Sequence, residues 1–140
     1  MSRNFQLAQA NGFLVQDARG DPVKVAFANA AHSHSAYADG DGYIYDLFQP
    51  EAREFAFNAI VDGYTRPYGI HHWWLDCDEP CGSDMHPYMV YANGTWPAAF
   101  VGAAYPHMVK QMMWDGMVRR GWDPSSSIIL GRSAWAGSQR

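Results

Sequence analysis

Cysteine is almost missing from this sequence: Cys77 and Cys81 are the two it holds, too few for a disulfide framework. Charge is sparse as well, at 17% of positions, and leans acidic, with a formal net charge of −4 at pH 7. No basic face for nucleic acid is therefore expected. No apolar run approaches the ~18 residues of a membrane span, so no membrane partner is expected either. Met1 to Gln16 lacks the basic-then-apolar layout of a signal peptide. The chain reads as soluble, with the cytoplasm favoured and the compartment otherwise open. Internal repeats, low-complexity tracts and charge blocks are also lacking, which sets aside solenoids and compositionally biased tails. What the 140 residues do hold is apolar and aromatic mass: 48% are hydrophobic, with six Trp, eight Tyr and seven Phe. Such a chain cannot remain solvated and disordered. Its length suits one domain, burying roughly two-thirds of the unfolded surface. Aromatic surface on this scale serves a core, a sugar or a flat ligand.

Asn11-Gly12, Arg19-Gly20-Asp21-Pro22 and His32-Ser33-His34-Ser35 punctuate the first stretch. Between them, Phe13-Leu14-Val15 and Val23 to Phe27 read as short strands joined by a turn. Tyr43 to Phe48 is an aromatic, β-favouring run that stops at Gln49-Pro50. Pro50 and Glu51 suit a first helical turn, where the missing proline N–H costs nothing. Ala52, Phe55, Ala56, Ala59, Ile60, Gly63 and Tyr64 then recur at helical spacing until Pro67 and Gly69, which predicts a helix over Pro50–Arg66. Ile70 to Leu75 is a continuous bulky run of strand length. Cys77 to Ala104 reads as a long irregular segment, broken by Gly82, Pro87, Asn93-Gly94 and Pro97. Connections beyond ~12–15 residues are usually functional, so Tyr88, Tyr91, Trp96 and Phe100 are expected on a pocket rim. Pro106 reopens a helix over Tyr105–Arg120, with Tyr105, Met108, Val109, Met112, Met113 and Met117 on one core-packing face. Gly121 ends it, and Arg119 and Arg120 suit the negative end of its dipole. Ser127 to Leu130 is a last short strand.

Strands alternating with helices imply a parallel sheet covered by helices. The strands are continuously apolar, as expected when both faces are buried. No glycine-rich phosphate fingerprint follows the first strand, so a slice of a (β/α) barrel fits better than a nucleotide fold. Parallel strands are expected near Tyr43–Asp46, Ile70–Leu75 and Ser127–Leu130, with Asp46, Asp76 and Arg132 at their carboxyl ends. In barrels that end carries the active site. From His71 to Pro80, acidic residues appear at once where the bulky run stops. A carboxylate beside Trp is the pairing a sugar needs, with rings against its apolar C–H face and a carboxylate at the anomeric carbon. Spacing alone leaves Asp76 open between that role and a loop cap above core tryptophans. Arg132, with Trp135 nearby, is open between a group that binds sugar hydroxyls or orients a carboxylate and a surface salt bridge. Cys77, Cys81 and His86, with His71 and His72 close by, lack the tight paired spacings of a zinc site, so no metal or other cofactor is expected. His32 and His34 read as solvated. Asn93-Gly94-Thr95 is a glycosylation sequon only in a secreted protein.

Trp74-Leu75-Asp76-Cys77-Asp78-Glu79-Pro80 resembles the tryptophan–any–aspartate signature, with trailing glutamate-proline, of glycoside hydrolase family 31. That family includes α-glucosidases, α-xylosidases and sulfoquinovosidases. Arg132 to Arg140 is similar to the family's second signature block. Tyr45 to Arg53 resembles its strand-to-helix turn, in which an aspartate is followed two or three residues later by proline-glutamate-alanine-arginine. Asn11 to Pro22 resembles the connection entering that strand. Three ordered blocks with matching intervals run through nearly the whole chain.

The resemblance implies an α/β fold, a partial (β/α)8 TIM barrel holding the middle strands only, about the third to the fifth. It also implies a retaining double displacement on α-glycosides. Asp76 matches the nucleophile, which attacks the anomeric carbon and forms a covalent glycosyl-enzyme. Trp74 matches the tryptophan walling the sugar pocket, and Arg132 the arginine that binds in that pocket. Asp46 and Trp135 are taken as further substrate-binding positions, and Glu79 as support for the site. Cys77 and Asp78 stand where many members carry Met and Asn. The family's acid/base aspartate follows the second block, which places it past Arg140. Its other pocket aspartate and its later histidine have no match here, and a full barrel needs about 250 residues. Residues 1–140 are thus expected to be a fragment of the catalytic domain, inactive alone, whose parent acts on an α-glycoside of glucoside or xyloside type. Hydrolase, transglycosidase and lyase are not separated, and the oligomeric state is open. The alternative is a non-catalytic carbohydrate-binding or structural remnant of such a barrel.

Overall fold

The computed structural model describes residues 2–26, 41–76 and 88–133. Readings that fall on Phe27, His32, His34, Cys77, Asp78, Glu79, Cys81, His86 and Trp135 lie outside the described residues. Along the chain run α1 (Arg3–Ala10), β1 (Gln16–Asp17), β2 (Lys24–Ala26), β3 (Asp41–Tyr43), α2 (Pro50–Ile60), α3 (Arg66–Tyr68), β4 (Trp73–Leu75), β5 (Met89–Tyr91), β6 (Trp96–Pro97), α4 (Ala98–Val101), α5 (Tyr105–Arg119) and β7 (Ile129–Gly131). A π-wound turn, Val61–Thr65, joins α2 to α3. No helix among the described residues is long and apolar enough to cross a membrane.

The two long helices form where the apolar spacing puts them. Pro50 sits in the first turn of α2, and Gly69, at φ +67°, closes α3 in the left-handed conformation that glycine adopts freely. The helical run passes the expected end at Arg66, because the wide π turn ahead of Pro67 eases the clash a proline ring makes with a regular helix. Gly121, also at φ +67°, follows α5. The two helices pack together, and Phe57 of α2 lies so close to Gly116 of α5 that a Cβ there would sit 2.3 Å from the ring. Val109, Met112, Met113 and Met117 of α5 are buried in the same core, as the methionine stripe implied. The first stretch differs from expectation: it opens with α1, whose Ser2 hydroxyl accepts the Phe5 N–H at 3.2 Å. This is an N-cap, holding a helix with little else to bury than Ala8.

β4 and β7 are parallel neighbours, with Trp73 opposite Ile129, Trp74 opposite Leu130 and Leu75 opposite Gly131. Trp73, Leu75 and Ile129 pack against the core, whereas Trp74, Ile128 and Leu130 are 69%, 69% and 61% exposed. One face of the pair therefore meets the helices and the other stays open, following the period of two along a strand. This is the expected strand–helix–strand unit, and among the described residues there is no closed barrel.

Two expectations are corrected. The run near Tyr43–Asp46 does not join the parallel pair: β3 pairs antiparallel with β2, and Tyr45 bridges Leu14 antiparallel. The nearer amino-terminal segment competes for its backbone, with Val15 N–H donating to Ile44 O at 2.9 Å and Asp46 N–H to Phe13 O at 2.8 Å. The segment Cys77 to Ala104 is not irregular where it is described. β5 and β6 form a hairpin that extends β1 into a three-stranded antiparallel sheet, and α4 follows at once.

Candidate active site

Residues two apart on a strand share a face. Asp76 follows β4 two positions after Trp74, and Arg132 follows β7 two positions after Leu130, so both continue the face turned away from the helices. Both stand at the carboxyl ends of parallel neighbours, where barrels gather their chemistry. The structure brings them together: Arg132 Nη1 lies 3.0 Å from Asp76 Oδ1, with the side chains 46% and 40% exposed. The Arg132 N–H continues the ladder to Leu75 O at 3.1 Å. A charge-assisted contact of this kind orients a carboxylate, and its exposure leaves it within reach of a ligand. The exposed ring of Trp74 stands beside it on the same open face.

Behind this pair lies a contact the sequence reading missed. Lys110 reaches from α5 across β7 and donates from Nζ to Ser133 Oγ at 2.9 Å. A Cβ on Gly131 would stand 2.8 Å from Lys110 Cε and 3.1 Å from its Nζ. The available signal was Gly131 itself, since a glycine inside a strand pattern marks a close approach.

Asp46 does not lie on that open face as a strand-end group. It is 1% exposed, the buried charged side chain of the core among the described residues. Its Oδ1 accepts from Ala92 N–H at 3.1 Å, and its Oδ2 from Asn93 N–H at 2.9 Å and from Gln49 Nε2 at 2.7 Å. A buried carboxylate needs such donors, and the hairpin turn supplies two. That turn is unusual, with Ala92, Asn93 and Gly94 at φ +52°, +53° and +82°. The left-handed conformation turns consecutive amides toward one anion, so the carboxylate offsets a backbone cost at Ala92 that only glycine escapes.

The expected pocket rim is divided. Tyr91 is buried, with its ring 5.2 Å from that of Phe48, centroid to centroid. Burial, and secondarily the Asp46 charge, pushes its phenol up to about 12. Trp96 packs edge-on to Phe48 at 5.9 Å, Tyr88 is half exposed, and Phe100 is 85% exposed. His71 and His72 precede β4, at the opposite end from Asp76, their rings 4.3 Å apart. Ile128 N–H donates to His72 Nδ1 at 3.1 Å, which ties this histidine to strand pairing. Among the described residues, no group of three or more His, Cys, Asp or Glu comes together to hold a metal.

Comparison with known proteins bears on the chain as a whole. The family model for the glycosyl hydrolases family 31 TIM-barrel domain matches residues 1–140. An α-xylosidase from a soil metagenome, solved with xylose, shares 30% identity at a TM-score of 0.71 over 99% of this chain and 18% of its own. A dextranase from Flavobacterium johnsoniae, solved with glucose, shares the fold at a TM-score of 0.76 and 20% identity, over 99% of this chain and 16% of its own. A xylosidase from Aspergillus niger shares it at 0.71 and 24%, over 99% and 20%. The chain thus spans a fifth or less of these enzymes. The family-model match from residue 1 to residue 140 leads to one assignment: this chain belongs to glycosyl hydrolase family 31, within its TIM-barrel domain.

Proposed function

We propose that Asp76 is the nucleophile of a retaining α-glycosidase, and that these residues are part of the barrel that carries it. The observation behind this reading is the Asp76–Arg132 contact at 3.0 Å on the open face of β4 and β7. In the first step a carboxylate oxygen of Asp76 attacks the anomeric carbon as the bond to the leaving oxygen breaks. An acid elsewhere in the parent barrel protonates that oxygen. Water then attacks the glycosyl-enzyme, the same group now acting as base, and Asp76 is released with retained configuration. Arg132 holds one carboxylate oxygen and binds sugar hydroxyls. Trp74 offers its ring to the sugar's C–H face. The family resemblance gives Trp135 a sugar-binding role and Glu79 a supporting one. Asp46 is assigned a different part: it holds the turn of the β5–β6 hairpin and touches no sugar.

The substrate is a terminal α-xyloside or α-glucoside, with the xyloside favoured by the 30% identity to an enzyme solved with xylose. The 140-residue chain alone does not turn over α-glycosides, because the acid lies elsewhere in the parent. The test is to treat the full-length parent with a mechanism-based glycosyl inactivator and map the labelled peptide. A glycosyl adduct on Asp76 is expected. An adduct on Asp78 or Glu79 moves the nucleophile, and sugar binding without any adduct replaces catalysis by a carbohydrate-binding role.

A further inference from the structure

We infer that Lys110 is a positioning residue for the Asp76–Arg132 pair, fixing the segment after β7 from which the guanidinium extends. The inference about activity rests on the reading of Asp76 as nucleophile, whereas the geometry beneath it does not.

Arg132 leaves the end of β7 between two fixed points. On one side its own N–H is bonded to Leu75 O at 3.1 Å, across the strand ladder. On the other, the next residue, Ser133, accepts from Lys110 Nζ at 2.9 Å. Lys110 comes from a different element, α5, and crosses β7 at Gly131 to make that bond. The crossing explains the glycine. Gly131 is outside the left-handed region, so its backbone does not require glycine, but any Cβ would meet the lysine stem at 2.8 Å. A half-buried lysine is costly unless its ammonium finds acceptors, and here it finds one beside the arginine that meets Asp76. Arg132 is 46% exposed on its side chain, and a long exposed side chain has rotameric freedom to lose. A backbone bond on one side and a bond to the neighbouring Ser133 hydroxyl on the other narrow where the guanidinium can go. The consequence for catalysis is large, since a misplacement near 1 Å can cost on the order of a hundredfold.

The test uses the full-length parent with Lys110→Met, which keeps the stem and removes the donor, with Ser133→Ala, and with both. Gly131→Ala adds a route that displaces the lysine without removing its charge. Each single change lowers kcat/KM for an aryl α-xyloside by roughly ten- to a hundredfold, with the thermal midpoint close to that of the parent. The double variant loses less than the two single losses combined, because both single changes remove the Lys110–Ser133 bond. Lys110→Arg, which keeps a donor, restores part of the loss. In a crystal structure of the Lys110→Met parent, Arg132 Nη1 moves beyond hydrogen-bond distance of Asp76. Additive losses in the double variant, or an Asp76–Arg132 contact unmoved in that crystal structure, overturn the inference. Failure of the nucleophile reading shows separately, as a parent that acquires no adduct at Asp76, and the crystal structure then decides the role of Lys110 by itself.

Discussion

Asp46 and Asp76 have similar settings in the sequence, each directly after bulky aromatic and aliphatic residues, Tyr43 to Tyr45 in one case and Trp73 to Leu75 in the other. They end in opposite environments. Asp46 is buried, and its carboxylate is held by two backbone amides of the hairpin turn and by Gln49. Asp76 remains 40% exposed and faces a guanidinium that is itself 46% exposed. The difference lies in the donors each carboxylate meets. Backbone amides are fixed by the fold, so a carboxylate saturated by them is part of the architecture. A side-chain cation open to water can share its partner with an incoming ligand. The two strand-end carboxylates thus differ in exposure and in the kind of donor that meets them.

The comparison breaks most visibly at Asp76. In the full-length parent, Asp76→Ala abolishes hydrolysis while stability, by denaturant melt, stays within about 1 kcal/mol of the parent, the range of exposed ion pairs. Asp46→Ala has the converse profile. Removing the acceptor of three hydrogen bonds costs on the order of 3 kcal/mol, read as a lower denaturation midpoint, while turnover per folded molecule falls far less than in Asp76→Ala. If Asp46→Ala instead removed turnover at unchanged stability, the roles given to the two carboxylates would be exchanged.

The smallest effect comes from Tyr91, whose hydroxyl is buried and lacks a hydrogen-bond partner among the described residues. Its phenol titrates near 10 when unfolded and at about 12 when folded, because burial and then the Asp46 charge disfavour the phenolate. Between those values the unfolded chain gives up the proton that the folded chain retains. Stability is therefore intact below pH 10 and falls as pH rises toward 12. Tyr91→Phe leaves stability at pH 7 within about 1 kcal/mol and flattens the alkaline fall in urea melts. A residual slope belongs to Tyr45, which burial also pushes upward. An undiminished slope in Tyr91→Phe would mean that the folded chain does not hold this phenol above its ordinary value.

Much of this was legible because it repeats. Helical spacing from Ala52 to Tyr64 and from Tyr105 to Met117 has enough turns to declare itself, and the glycines at 69 and 121 mark where it stops. The runs ending at Leu75 and Leu130 announced the parallel pair, and the resemblance of the residues after them named Asp76 and Arg132. The hairpin was not legible, since Met89–Tyr91 and Trp96–Pro97 are shorter than any alternation needs. Its turn also places an alanine at positive φ, which no sequence rule favours. The burial of Asp46 depends on that turn, 46 residues away from it. The reach of Lys110 over Gly131 depends on how a helix and a strand lie against each other, which local pattern does not encode.

The pairing of β4 with β7 has a kinetic side. Ile128 bonds to His72 across 56 positions, whereas the β5–β6 hairpin and the run from α2 to α3 close within a few residues of themselves. Contacts that are distant along the chain raise contact order and form late, after local elements have taken shape. The acid and the guanidinium consequently arrive on separate pieces of chain, which the pairing of β4 with β7 joins. Neither piece holds a site. Recovery of the Asp76–Arg132 contact during refolding thus reports closure of the chain between β4 and β7, and the local helices return ahead of it.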